Sequence, residues 1–421
     1  MMTTTPRAVL ATLLLLAAQA RPGSPQCLTL DDSRQPSNPD ARAALSRGQQ
    51  AFSLDLMRTV SKASKDNMFF SPSSIYNALL LPYFGAANQT EKSLRQILRI
   101  PDSQDKLSIM QAYRLEKFFQ AMRATNGSDS YELRSPSRVF ASSGLRLRQC
   151  MLQLFEDDLV RVDFAADPGA ARLQVNSWVE AQTRGNIKDL LQQGAVTPST
   201  ELVLVNAAYF KGLWQAQFLP ENTRKEVFFI SPSEKTLVSM MKQKGVFNHL
   251  VSERLGAYIL ELPYKGKDVS MFVFLPPFMK SDAVDSLIQR LDADALAEVV
   301  SEDGLQAQEM EVALPRFSAE QELELSPILE KMGVGDLFKP TADLSGLTEG
   351  QGVQLNEAVH KARIDVDEKG TEAAAATALL FYRSSRPLKL THFVCNHPFV
   401  YLLFDRVSQT VLFSGVYRRP N

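Results

Sequence analysis

Near the C-terminus stands Asp367-Glu368-Lys369-Gly370-Thr371-Glu372-Ala373-Ala374-Ala375-Ala376-Thr377-Ala378-Leu379-Leu380-Phe381-Tyr382-Arg383-Ser384-Ser385-Arg386-Pro387. A charged, glycine-containing hinge opens this stretch. A run of small residues follows, and a bulkier segment with two arginines closes it. Thr371 to Leu380 could form a short helix, because alanine is the best helix former. An isolated helix of that length is marginal in water, and no amphipathic stripe would dock it. As a strand, Thr371, Ala373, Ala375, Thr377 and Leu379 would share one face. Side chains this small could enter a gap in an existing sheet with little steric cost.

The stretch closely resembles the reactive-centre loop of the serpins. The resemblance is carried by Glu368-Lys369-Gly370-Thr371-Glu372-Ala373-Ala374-Ala375, with small residues continuing through Ala376 to Ala378. Serpin loops are a standing example of strand addition to a sheet. An alanine-rich loop alone would carry little weight, so other blocks must follow in the right order.

They do. Asn67-Met68-Phe69-Phe70-Ser71-Pro72-Ser73-Ser74-Ile75 reads as a short buried strand, with Ser71 capping a helix that has Pro72 at its first position. It is similar to a serpin block whose serines, here Ser71 and Ser74, lie beneath the opening sheet. Leu202-Val203-Leu204-Val205-Asn206-Ala207-Ala208-Tyr209-Phe210-Lys211-Gly212-Leu213-Trp214 starts as a continuous apolar run, the mark of a strand buried on both faces. Its serpin counterparts of Asn206 and Trp214 sit under the sheet and at its upper opening. Val175-Asn176-Ser177-Trp178-Val179-Glu180 resembles the serpin helix that crosses the front of the central sheet. Residues 355–367 alternate and run straight into the loop. His360 lies there, and its serpin counterpart bonds beneath the sheet. The resemblance also implies a pair between the hinge Glu368 and a cation on a neighbouring strand, Arg316. Asn396-His397-Pro398-Phe399 and Val411-Leu412-Phe413-Ser414-Gly415 complete a buried C-terminal hairpin. One departure is Pro136-Ser137, where serpins carry an Ala-Asn pair. The resemblance covers about residues 45–420.

Composition limits the alternatives. Lys and Arg number 46 against 47 Asp and Glu, so no global field favours nucleic acid. Arg7, the apolar run from Ala8 to Ala18 and Ala18-Gln19-Ala20 read as a signal peptide over residues 1–20. That run is too short to span a bilayer, and no membrane partner is expected. Residues 21–44, rich in Pro, Ser, Asp and Arg, read as a disordered tail, and 45–421 as one domain, with the loop at about 368–390. Three cysteines, Cys27, Cys150 and Cys395, leave at least one thiol unpaired or intermolecular. Asn88 and Asn126 head glycosylation sequons, and Thr90 reads as the cap of a helix from Glu91 to Arg99. A helix over residues 106–123 carries Lys106, Arg114, Lys117 and Arg123. These invite a glycosaminoglycan partner, but Glu116 is interspersed and the charges spread around the helix, as on a solvated face.

Enzyme motifs are missing. There is no Gly-x-Ser-x-Gly elbow, no phosphate-binding loop and no dinucleotide fingerprint. His392, Cys395 and His397 do not converge on a strand and gain no second cluster, so neither metal nor cofactor is expected. The resemblance therefore implies a mixed α and β fold, three sheets with about eight or nine helices, in a monomeric, secreted inhibitor of serine proteases. A non-inhibitory carrier or chaperone is the alternative, and the small residues from Thr371 to Ala378, with Glu372 facing outward, favour the inhibitor. In the usual register the acylated residue is Ser384, and in loops one residue shorter it is Arg383. Arginine chemistry favours Arg383-Ser384 and a trypsin-like target.

Overall fold

The computed structural model describes residues 27–29, 32, 38, 40–126, 130–278, 282–301, 303–368 and 391–420. The signal peptide, the hinge residues Gly370 to Ala376 and the bond Arg383-Ser384 lie outside the described residues.

In chain order the first half holds α1 (Ala41–Ala63), β1 (Met68–Phe70), α2 (Pro72–Gly85), α3 (Asn88–Ile97), α4 (Lys106–Asn126), β2 (Tyr131–Arg134), β3 (Ser137–Ser142), α5 (Gln149–Leu154), β4 (Leu159–Val162), α6 (Pro168–Gln182) and β5 (Leu202–Gly212). The second half adds β6 (Arg224–Phe229), β7 (Lys235–Ser252), β8 (Ala257–Pro263), β9 (Val269–Leu275), α7 (Ala283–Arg290), α8 (Ala293–Val300), β10 (Gln306–Pro315), β11 (Phe317–Glu324), α9 (Leu325–Leu329), β12 (Leu355–Val366), β13 (Thr391–Val394), β14 (Phe399–Asp405) and β15 (Thr410–Tyr417).

The strands form two hydrogen-bonded networks. The six-stranded central sheet runs β11-β12-β5-β3-β4, with β2 also on β5. The nine-stranded network is two layers joined by the 18-residue β7. Residues 235–249 of β7 pair with β6 and β10, and β13 lies on β10. Residues 249–252 pass to β8, which leads through β9, β14 and β15 to β1. The three expected sheets are thus present, two of them sharing one strand.

Local sequence explains most of these elements. Ser71 accepts the Ser74 amide proton as N-cap and Pro72 occupies the first turn of α2. Residues 202–210 of β5 are all buried, because α6 covers one face of the sheet and α2 lies behind the other. Gly333, with φ +103°, ends the helical segment after α9 in a conformation that only glycine adopts cheaply. Gly415 on β15 leaves no room for a Cβ beside the Tyr401 ring.

Three boundaries differ from the sequence reading. Helix α1 begins at Ala41, inside the segment read as tail, because Ala41, Ala44 and Leu45 join the core. Cys27 also belongs to the body. It is bonded to Cys150 on α5, leaving Cys395 as the buried free thiol. The Asp32 carboxylate accepts the Cys27, Leu28 and Thr29 amides and closes this segment into a turn. Finally, Thr90 is not the cap of α3, which starts at Asn88. The Thr90 hydroxyl is buried, donating to Asp336 Oδ2 at 2.5 Å and accepting the Asp343 amide at 2.9 Å.

Candidate functional site

The site lies along the contact between β5 and β12. These strands are parallel, in register from Leu202–Leu355 to Phe210–Ile364. Each is antiparallel to its outer neighbour, β3 and β11. Parallel pairing is slightly weaker per residue. A chain that continued from β12, reversed direction and entered between the two would be antiparallel to both. One weak ladder would become two stronger ones.

Midway along the seam His360 and Asn206 face each other as register partners. The Ser71 amide donates to His360 Nε2 at 3.0 Å, so the other ring nitrogen, Nδ1, carries the proton and donates to Asn206 Oδ1 at 2.5 Å. The Ser74 hydroxyl also donates to Asn206 Oδ1, at 2.8 Å, and Asn206 Nδ2 donates to the Ser74 carbonyl at 3.2 Å. Ser71 Oγ donates to the Leu412 carbonyl at 2.7 Å, tying the group to β15. His360, Asn206, Ser71 and Ser74 are all essentially inaccessible. Burial alone drives the His360 pKa down to about 3. The imidazole is therefore neutral, as a buried ring that accepts at Nε2 must be.

A second group closes the top of the seam. Trp214 Nε1 donates to the Asp367 carbonyl at 2.9 Å, and its ring stacks on Tyr264 with centroids 4.5 Å apart. Glu368 is buried, and Thr223 Oγ1 donates to its Oε1 at 2.8 Å while Arg316 Nη1 lies 3.6 Å from the same oxygen. Burial acts to raise the Glu368 carboxyl, but the Thr223 hydroxyl, its own amide and the Arg316 guanidinium outweigh it and hold the pKa below the ordinary range. Thr223 gives the shorter contact, and nothing in the sequence paired it with Glu368. Helix α6 lies across the front, where Val175 and Val179 pack with Val203, Val205 and Val359. Asn176 holds the segment leaving α6, exchanging two bonds with the Leu191 backbone.

The structure thus brings Ser71, Ser74, Asn206 and His360 into one network and Trp214, Arg316 and Glu368 around one opening. The other residues singled out in the sequence lie elsewhere. Asn88 is exposed at the first turn of α3, with Nδ2 on Asp343 at 2.7 Å, and Asn126 closes α4. The α4 cations are engaged within the protein: Lys106 with Glu91, Arg114 with the Leu154 carbonyl, Lys117 with Asp158 and Arg123 with Asp405. His392 pairs with Glu311, Cys395 is buried, and His397 meets the Pro276 carbonyl, so the three point to separate neighbours.

Residues 47–420 match the family described as serpin, serine protease inhibitor. The chain is a serpin. It is 39% identical over 398 residues to serine protease inhibitor 88Ea of Drosophila melanogaster, covering 90% of this chain and 92% of that one. Leukocyte elastase inhibitor of Sus scrofa is 34% identical over 386 residues, covering 89% and 99%. The crystal structure of uncleaved ovalbumin aligns with a TM-score of 0.80 at 28% identity, over 90% of this serpin and all of that chain. Those two relatives are named as protease inhibitors, and the family is described as serine protease inhibitors.

Glu368→Lys is expected to place two cations together at Arg316 and to forfeit the Thr223 bond. The top of the seam should loosen, lowering the apparent Tm by about 2–4 °C and giving polymers on mild heating. Native gels after graded heating check this. A variant that stays monomeric with unchanged Tm would remove Glu368 from control of the opening.

Proposed function

We propose that this serpin is a secreted, monomeric suicide substrate that traps trypsin-like serine proteases. The protease serine attacks the Arg383 carbonyl. An ester bond forms to Arg383, the Arg383–Ser384 peptide breaks, and Ser384 leaves as a free amine. The freed loop then inserts between β5 and β12, carrying the ester-linked protease with it before water can hydrolyse the bond. Insertion is driven by ladder hydrogen bonds and burial that the native state leaves unmade, so the native fold is a kinetic trap.

The observation that carries this reading is the parallel β5–β12 seam, which continues from β12 directly into a run of residues small enough to enter it. Secretion is supported by the Cys27–Cys150 disulfide, a bond that persists in oxidising compartments. Arg383 is chosen as the acylated residue because a guanidinium can pair bidentately with an acid at the base of a protease pocket.

Incubation with trypsin tests the proposal. An SDS-stable complex should form, and mass spectrometry should find a released C-terminal peptide beginning at Ser384. A peptide beginning at Ser385, with elastase inhibited well and trypsin poorly, would move the bond to Ser384-Ser385. Cleavage without any stable complex across a panel of serine proteases would overturn inhibition and leave the carrier or chaperone reading.

A further inference from the structure

Helix α4 carries two apolar stripes. Ile109, Met110, Ala112 and Tyr113 are buried in the core. Leu115, Phe118, Phe119 and Met122 recur at the spacing of one continuous helix face, yet they are 45, 58, 36 and 45% exposed. Soluble proteins seldom leave a contiguous apolar patch of this kind without a use.

The stripe runs into a cavity of about 460 Å³, a volume typical of small-ligand sites. Phe119, Met122 and Val407 give it apolar walls, and Val407 is itself 52% exposed. Tyr131 lines the cavity as well, and its phenol hydroxyl can donate.

The charges in the lining set the ligand's polarity. Arg42, Arg123 and Lys265 stand against one carboxylate, Asp268. Arg123 is committed to Asp405, with Nη1 at 2.8 and 3.0 Å from the two carboxylate oxygens. Arg42 lies 4.9 Å over the Phe119 ring and gives Nε and Nη2 to Glu116, leaving Nη1 to spare. Lys265 is partly buried, and its ammonium has no partner among the described residues. Asp268, three residues along the same turn, opposes a polyanion. The lining suits a ligand with a single negative charge and a long apolar body.

We propose that this cavity binds a single-chain anionic amphiphile, such as a long-chain carboxylate, with its head at Lys265 and Arg42 and its chain along Phe119 and Met122. The purified full-length protein is titrated with cis-parinaric acid, a fluorescent fatty acid, below its micelle concentration. Binding should saturate at one per chain and be displaced by oleate but not by methyl oleate. Lys265→Ala should weaken it about tenfold or more, since a hydrogen bond between charged groups is lost. Met122→Asp, at an exposed position, should abolish it without altering Tm. Equal competition by methyl oleate, or full binding by Lys265→Ala, would overturn the proposal. So would a signal seen only with phospholipid vesicles, which assigns the stripe to a membrane surface. A concentration-dependent dimer lost in Met122→Asp, with no fatty-acid binding, would assign it to a second copy and overturn it equally.

Discussion

A Thr371→Arg substitution is expected to convert the protein from an inhibitor into a substrate of its target. Thr371, Ala373, Ala375, Thr377 and Leu379 share one face of the strand that would insert. Both faces of the central sheet are covered at the seam. Val359 packs into the cluster under α6, whereas Ala358 and Ala362 face the cores on the other side. A guanidinium entering there gains no water and no partner, at a cost of about 3 kcal/mol or more. If that cost falls on the insertion step, insertion slows by on the order of a hundredfold. Hydrolysis of the acyl bond does not slow with it, so most encounters end in cleaved serpin and free protease. The stoichiometry of inhibition should rise steeply and the SDS-stable complex should almost vanish, while cleavage at the loop continues. Thr371→Ala should behave as wild type. Complexes formed by Thr371→Arg at wild-type stoichiometry would sink the insertion account.

What the sequence could convey depended on the range of each interaction. The buried run Leu202 to Val205 and the Ser71-Pro72 helix start are local signals, and both elements stand where those residues place them. Residue types on the seam were legible through family resemblance, but their bonding was not. Ser71 and His360 are 289 residues apart, and only the folded sheet turns them into donor and acceptor. The Cys27–Cys150 bond, across 123 residues, could not be chosen among three possible pairings, and Cys27 lies in a segment too polar to be read as core. Thr90 has the chemistry of a cap, yet Asp336 and Asp343 take its hydroxyl instead. On α4 the cations were conspicuous and proved to be engaged in the body. Its second apolar stripe was not distinguished, because periodicity shows that a helix has an apolar face and not whether anything covers it.

Acid is expected to destabilise this serpin through His360. The native state holds the ring neutral, with a pKa of about 3, against an ordinary value of 6.5. Between those values the unfolded chain binds a proton that the native state refuses. Stability therefore rises with pH across this window and is lost as pH falls from about 6.5 towards 3. At pH 4.5 the two-unit interval corresponds to roughly 2–3 kcal/mol. The structural cause is specific. A proton added at Nε2 would face the Ser71 amide, donor against donor, and would break the bond beneath the seam. His397 shifts in the same direction, driven by burial and partly offset by the Pro276 carbonyl, and carboxylates add their own dependence at low pH. The measurement is thus a comparison. Thermal unfolding of wild type and His360→Ala is followed from pH 7.5 to 4.5. The variant leaves the Ser71 amide without its acceptor, whereas Asn206 Oδ1 keeps the Ser74 hydroxyl, so it should be less stable at pH 7.5 by about 1–3 kcal/mol. Its loss on acidification should be smaller than that of wild type by roughly the His360 contribution, so the two curves converge. Parallel curves over the whole range would show that His360 is not the group that acid titrates, and that the seam is held closed by something other than its neutral ring.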